Sequence, residues 1–292
     1  MYLSHFGLKE YPFGLTPDTE YFFPGHSHQE VLNTLLVSLD LGEGLIKILG
    51  EPGTGKTLLC RHLLNRLEAD SWVAAYIPNP QLTPEALHVA LLHELGEAGG
   101  GMPEEASRAQ VLEARLLELA GRGKRIAALI DETQAMPLET LEALRLITNL
   151  ETEKRKLMQI VLFGQPELDA RLADPSVRQI ASRITFHDRL RPMEPAETPR
   201  YLAHRLAQAG APTDLFSTPA AACVHRMSRG LPRIANIIAH KALMLAFGQS
   251  AHRVERAHVR AAGLDTANAR LGALDRLAAL AMGMNRPRGR GW

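Results

Sequence analysis

The chain has 292 residues, 46% hydrophobic and 22% charged, with 33 Lys and Arg against 32 Asp and Glu for a formal net charge of +1. That length and apolar content suffice for one large or two ordinary domains with buried cores, and the balanced charge gives no global pull toward nucleic acid or an anionic membrane. No apolar run reaches the ~18 residues of a membrane span, and Met1-Tyr2-Leu3-Ser4-His5-Phe6 lacks a basic stretch before an apolar core, so a soluble cytoplasmic chain without a secretory signal is expected.

Residues 1–27 carry Phe6, Tyr11, Pro12, Phe13, Tyr21, Phe22, Phe23 and Pro24. They read as an ordered but irregular arm, because so many aromatics are not left in solvent. A helix is predicted over 28–41. Strand-like runs follow at 45–49, 72–77, 125–130, 158–163 and 184–187, with helical patterns between them. Two of those helices, 84–97 and 103–119, are separated by Gly99-Gly100-Gly101. The alternation predicts an α/β domain whose parallel sheet is covered on both faces. After Pro192 and Pro195 the strand signal stops. Helices are expected at 196–209, 218–227, 232–246 and 254–262, capped or broken by Gly210, Gly230 and Gly248. The expected organisation is therefore an arm over 1–27, an α/β domain over 28–192 and a small helical domain over 193–265. The remainder, 266–292, reads as a helix and a flexible tail ending Arg286-Pro287-Arg288-Gly289-Arg290-Gly291-Trp292, either a solvated end or a contact for nucleic acid. Cys60 and Cys223 lie far apart without metal-ligand spacing and read as packed thiols. The twelve histidines form no pair at ligand spacing beside a carboxylate.

The run Gly50-Glu51-Pro52-Gly53-Thr54-Gly55-Lys56-Thr57 matches G-x-x-x-x-G-K-[ST] between a predicted strand and a predicted helix, the context in which that pattern has physical meaning. Its glycines let successive N–H groups point into one concavity, to which the helix start adds partial positive charge. Glu51, Pro52, Gly53, Thr54, Gly55, Lys56, Thr57 and Leu58 are thus expected to wrap the phosphates of a nucleoside triphosphate. Lys56 reaches the β and γ phosphates, and Thr57 offers its hydroxyl to Mg²⁺.

About 75 residues further on, the apolar run Ile126–Ile130 ends in Asp131-Glu132. Ligands of parallel sheets bind beyond the carboxyl ends of strands, where Asp131 would hold Mg²⁺ with Thr57 and Glu132 would polarise the water that attacks the γ-phosphate. Taken alone, an apolar run ending in Asp-Glu is a weak signal that many strand ends give, with capping of the next helix the alternative; paired with the Gly50–Thr57 loop it becomes strong. Hydrolysis also needs compensating charge, usually from Arg. Arg183, just before the last predicted strand, and Arg233, which follows Pro232 at a helix start, are candidates by position, although spacing alone assigns neither.

The phosphate loop, the Asp131-Glu132 strand, Ser182-Arg183 and Gly230-Leu231-Pro232-Arg233 together resemble the AAA+ ATPases. That resemblance implies a P-loop sheet followed by a helical lid, with ATP between them. It further implies Arg183 as a finger offered to a neighbouring subunit in a ring, and Arg233 as the lid arginine that meets the γ-phosphate within its own subunit. Closer still, Phe6-Gly7-Leu8, Tyr11-Pro12-Phe13, Glu151-Thr152-Glu153-Lys154 and Phe163-Gly164-Gln165-Pro166-Glu167-Leu168 resemble the ExeA/GspA secretion ATPases, in particular the short pilus-associated form that ends after the lid. The resemblance implies a homo-oligomer, with inner-membrane assembly proteins of a pilus or secretion apparatus as partners. The longer members carry a membrane span and a peptidoglycan-binding region, so here any link to the membrane is expected through a partner. Two features depart from or extend the pattern. Gln165 stands where many AAA+ proteins place Asn, Thr or Ser, and it either orients the attacking water or caps the helix at Pro166. For the adenine base, His28, Phe22 and Phe23 on the arm side and Ile234 on the lid are candidates, with anchoring of the arm onto the sheet the alternative for the two Phe residues. A DNA-associated transposition ATPase of the TniB/TnsC type shares the same core, but the basic residues on offer, Lys154-Arg155-Lys156 and the Arg tail, are few.

Overall fold

The computed structural model describes residues 2–70, 72–96, 107–153 and 155–272. The elements, in chain order, begin with α1 (Tyr2–Phe6), α2 (His26–Asp40), β1 (Leu45–Gly50), α3 (Lys56–Ala69), β2 (Val73–Ile77), α4 (Pro84–Glu94), α5 (Arg108–Gly121) and β3 (Ile126–Ile130). Then come α6 (Leu138–Ile147), β4 (Gln159–Gly164), α7 (Glu167–Leu172), α8 (Arg178–Ala181) and β5 (Phe186–Leu190). The chain continues with α9 (Glu197–Gln208), α10 (Thr218–Ser228), α11 (Pro232–Gly248) and α12 (Arg256–Leu264). They form two compact units: His26–Arg191, and a second that joins the described residues up to Gly25 to those from Pro192 onward.

The first unit is a five-stranded parallel sheet in the order β2-β3-β4-β1-β5. β3 and β4 are buried along their whole length, which is why β3 throughout and β4 from Ile160 onward read as apolar runs rather than alternations. Leu87, Leu91, Leu112, Leu116, Leu141 and Leu144 of α4, α5 and α6 fill one side, while α2 and α3 pack against strands of the same sheet. The edge strand β5 alternates instead, with His187 and Arg189 exposed. At the other edge the Tyr76 N–H of β2 donates to the Glu94 carboxylate at 3.1 Å, so α4 satisfies an edge donor that no strand reaches.

Several boundaries differ from the sequence reading. β5 begins at Phe186 because Arg183 and Ile184 still make helical-type bonds, to Ile180 O and Ala181 O. The start of α5 is set by a capping box of Ser107 with Gln110, downstream of the predicted start. Gly248 is the last residue of α11 and not its stop. The triple glycine at 99–101, Lys154 and the arginine-rich tail lie outside the described residues.

The second unit is helical, and it includes the arm. Tyr2, Phe6, Phe13 and Tyr21 share a core with Tyr201, Leu206, Val224, Ile238 and Leu243. Phe23 also belongs here. Its ring lies 5.7 Å from Tyr201 and 5.6 Å from His204, so it anchors on α9. Ile234 packs on the same core. The buried Arg205 holds the arm down, donating to the Pro12 carbonyl and stacking 4.6 Å over the Tyr21 ring. Among the described residues no helix is long and apolar enough to cross a membrane.

Candidate functional site

The carboxyl ends of β1, β4 and β3 lie side by side in the sheet, and each delivers part of one site. From β1 the chain enters the phosphate loop. Gly55 has φ +100°, and an added Cβ there would come within 3.0 Å of the His28 imidazole. At Gly50 a Cβ would press on Thr54 Oγ1 at 2.8 Å. Both positions accept only glycine without displacement of the loop. Thr54, fully buried, donates from Oγ1 to Glu51 O at 2.8 Å and closes the turn. His28 of α2 supports it from behind, with Nε2 3.0 Å from Thr54 O. Gly55 caps α3 without any side-chain acceptor for the first-turn amides, so these amides are left for a ligand.

Lys56 is 5% exposed, and its Nζ donates to Gly50 O at 2.7 Å and Glu51 O at 3.2 Å. Burial pulls its pKa below the ordinary lysine value, against the pull of Glu132, Asp131 and Glu51 in the other direction. Thr57 Oγ1 donates to Asp131 Oδ2 at 2.6 Å. Asp131 is 2% exposed, and burial raises its pKa despite the bonds from Thr57 and from the Glu132 N–H, the latter at 2.9 Å to Oδ1. A hydroxyl and a buried carboxylate in contact, both hard oxygen donors, suit Mg²⁺, which takes one or two carboxylates together with substrate phosphates.

Glu132 sits at φ +50°, ψ +36°, a left-handed conformation that costs a non-glycine residue about 1 kcal/mol or more. The neighbouring groups hold it there. Gln134 Nε2 donates to Glu132 Oε2, and Gln165 Nε2 donates to the same oxygen at 3.0 Å. Gln134 Oε1 in turn accepts the Gln165 backbone N–H at 3.0 Å, which ties the end of β4 to the turn after β3. Arg171 of α7 locks that turn from outside by donating to Gln134 O at 2.8 Å and to Met136 O. The sequence reading did not single out Gln134 or Arg171. For Gln134 the available signal is its place two residues after Glu132 in a short 3₁₀ turn, Thr133–Ala135, which folds its amide back onto the carboxylate.

Lys56, Thr57, Asp131, Glu132, Gln165 and His28 thus gather around one loop. Arg183 stands elsewhere in the same unit. Arg183 precedes β5, and Thr185 N, two residues on, donates to Leu45 O at the start of β1. The phosphate loop begins at the other end of β1, roughly 16 Å further along at about 3.3 Å per residue. Arg183 therefore lies at the opposite edge of the sheet from its own chain's phosphate loop. Arg233, in the second unit, is exposed in the first turn of α11. It follows a turn in which Arg229 (φ +56°) and Gly230 (φ +75°) are left-handed, and a Cβ at Gly230 would collide with the Met193 carbonyl.

Comparison with known proteins agrees with this geometry. Residues 39–172, which span β1 to α7, match the AAA domain family. The likeness to that family thus rests on 134 of the 292 residues, a little under half the chain. The chain is 36% identical over 275 residues to general secretion pathway protein A of Aeromonas hydrophila, a match covering 92% of this chain and 49% of that protein, so it spans about half the relative's length. Among solved structures, the ORC2 protein of Aeropyrum pernix superposes with a TM-score of 0.65 at 16% identity, over 93% of this chain and 74% of the other. Cdc6p of Pyrobaculum aerophilum gives 0.65 at 21% identity, over 86% and 69%. The RuvB branch migration motor of Thermotoga maritima gives 0.53 at 17%, over 90% and 78%. At these identities the solved structures speak for the fold, a P-loop AAA sheet followed by a helical region.

Proposed function

We propose that this chain binds and hydrolyses ATP and uses it to drive or regulate assembly of a secretion apparatus or type IV pilus, in the manner of the short MSHA-pilus relative MshM. The observation that carries the chemistry is the convergence of the phosphate loop, the Thr57–Asp131 pair and Glu132 on one edge of the AAA sheet. The biological setting rests on the 36% identity to general secretion pathway protein A.

In this reading the first-turn amides of α3 and Lys56 take the phosphates, Lys56 exchanging the Gly50 and Glu51 carbonyls for phosphate oxygens. Thr57 and Asp131 would hold Mg²⁺, which would supply neutralising charge to the phosphates. Glu132, steadied by Gln134 and Gln165, accepts a proton from the attacking water. Arg233 is assigned to the γ-phosphate of its own chain's nucleotide. Arg183 is assigned to the nucleotide of a neighbouring chain, a role that its distance from its own phosphate loop supports. An interface of that head-to-tail kind closes into a ring where the rotation between neighbours closes. The chain would act at the cytoplasmic face of the inner membrane, held there by partner assembly proteins.

The test mixes Arg183→Ala chains with Lys56→Ala chains. Each variant alone should be slow, because an arginine finger is worth about 10³–10⁵ in rate. In the mixture, intact phosphate loops meet intact arginines and hydrolysis should return. Absence of rescue, with co-assembly demonstrated by light scattering, would overturn shared sites.

A further inference from the structure

At the amino-terminal end of the sheet, Arg183 has company. It lines a cavity of about 200 Å³ together with Glu43, Thr148, Lys156 and Thr185. Lys156 comes from the turn between α6 and β4, which is closed by a bridge between Glu151 and Lys156 and by Leu157 N donating to Leu150 O at 2.9 Å. Its stem runs past Gly44, where an added Cβ would meet Lys156 Cε at 3.6 Å, so the ammonium is carried across toward the start of β1. There it is taken up by the Glu151 carboxylate. Arg183 pulls on the same carboxylate, which the two cations hold below its ordinary range, with Lys156 foremost. Glu151 is thus an anion paired with one of the two cations that line the cavity, 54% exposed and easily displaced, since exposed ion pairs are weak ties.

We propose that Lys156 is a second cation offered, with Arg183, to the phosphates of a neighbouring chain's nucleotide, and that Glu151 occupies their place until that neighbour docks. This rests on the reading of Arg183 as acting in trans. A polyphosphate carries more charge than one carboxylate and presents several oxygens, so it displaces Glu151 and engages both cations.

The experiment compares Lys156→Met, Lys156→Arg and Glu151→Gln in the full chain, by ATP turnover at saturating protein and by ATP-driven assembly. Lys156→Met should turn over at least tenfold more slowly, short of the roughly 10²–10³ for one buried donor to a developing anion. Lys156→Arg should keep most of the rate. Glu151→Gln breaks the same ion pair but leaves the cation, and it should match or exceed the wild-type rate. If the pair served only to close the turn, Glu151→Gln and Lys156→Met would share one defect, and the inference falls. Mixing Lys156→Met with Lys56→Ala chains should restore turnover; loss without restoration in proven co-assemblies also overturns it. The Arg183 mixture separates the layers. If Arg183→Ala is rescued and Lys156→Met is not, the second cation alone is wrong, whereas failure of both removes the trans reading beneath it.

Discussion

Asp131 and Lys56 are both buried with their charges, and each has a pKa displaced in the direction that burial dictates. Because Asp131 is raised in the folded chain, the folded state binds more protons than the unfolded one between the ordinary and the raised value. The stability it contributes therefore falls as pH rises through that window, and its cost is complete above it. Asp131→Asn keeps partners for Thr57 and the Glu132 N–H while it removes the charge. It should raise the melting temperature of the nucleotide-free protein at neutral pH, with a gain that shrinks as pH is lowered through the raised pKa; a constant difference across pH would contradict the burial argument. Such stabilisation at the expense of Mg²⁺ binding is expected where a site is built for a ligand. Gln134 makes a second prediction at this scale. It touches Glu132 and the Gln165 backbone but lies beside the phosphate loop and not within it, so Gln134→Ala should lower kcat about tenfold and leave the Kd for ATP unchanged in equilibrium titration. A loss of affinity of the same size would mean that Gln134 contacts the nucleotide.

Elements, more than residues, decide what the sequence reveals. The phosphate loop, the strands before and after it and the Asp131-Glu132 end of β3 were legible because each is a local pattern: glycines at fixed spacing, or an apolar run that ends in charge. The arm was legible only as buried. Its allegiance to the helical unit depends on Arg205, almost two hundred residues away, meeting Pro12 and Tyr21, and no local period records that. The start of β5 was misplaced by two residues because Ile184 is apolar and yet completes a helical turn. Gly230 was read as a helix breaker, whereas it is also the close contact between the α10–α11 turn and Met193, whose N–H donates to Gly230 O at 2.9 Å. Gly230→Ala combines a left-handed φ with a backbone collision and should cost about 2–4 kcal/mol, seen as a lower urea midpoint at unchanged slope. Arg205→Ala should cost about 1.5–3 kcal/mol through donors lost from the Pro12 and Gly14 carbonyls, and it should expose the arm to proteolysis before the rest of the helical unit unfolds.

For the whole molecule, what matters is that Arg183 and the phosphate loop lie at opposite ends of the same sheet. Lys56, Thr57, Asp131 and Glu132 lie at the carboxyl edge of the sheet and Arg183 at the amino edge, so on the proposed trans role of Arg183 a chain working alone has phosphate-binding groups without the finger. The rate per chain should then be a function of protein concentration. At low concentration ATP binds and turns over slowly; as chains associate, specific activity climbs toward a plateau, and light scattering in the presence of ATP should rise over the same range. Arg183→Ala should keep the scattering curve and lose the climb, because it removes the finger and leaves the phosphate loop and its ligand in place. Salt distinguishes this from assembly on nucleic acid. A balanced chain with a net charge of +1 should show only a shallow dependence of activity on ionic strength, whereas phosphate-backbone binding would weaken steeply, by roughly 10³-fold or more between 50 and 200 mM salt for six or more contacts. A rate that stays flat and low while ATP binds tightly would assign the chain to the switches that bind nucleotide without turning it over, and Glu132 in its left-handed turn would then be a residue held back from catalysis and not one poised for it.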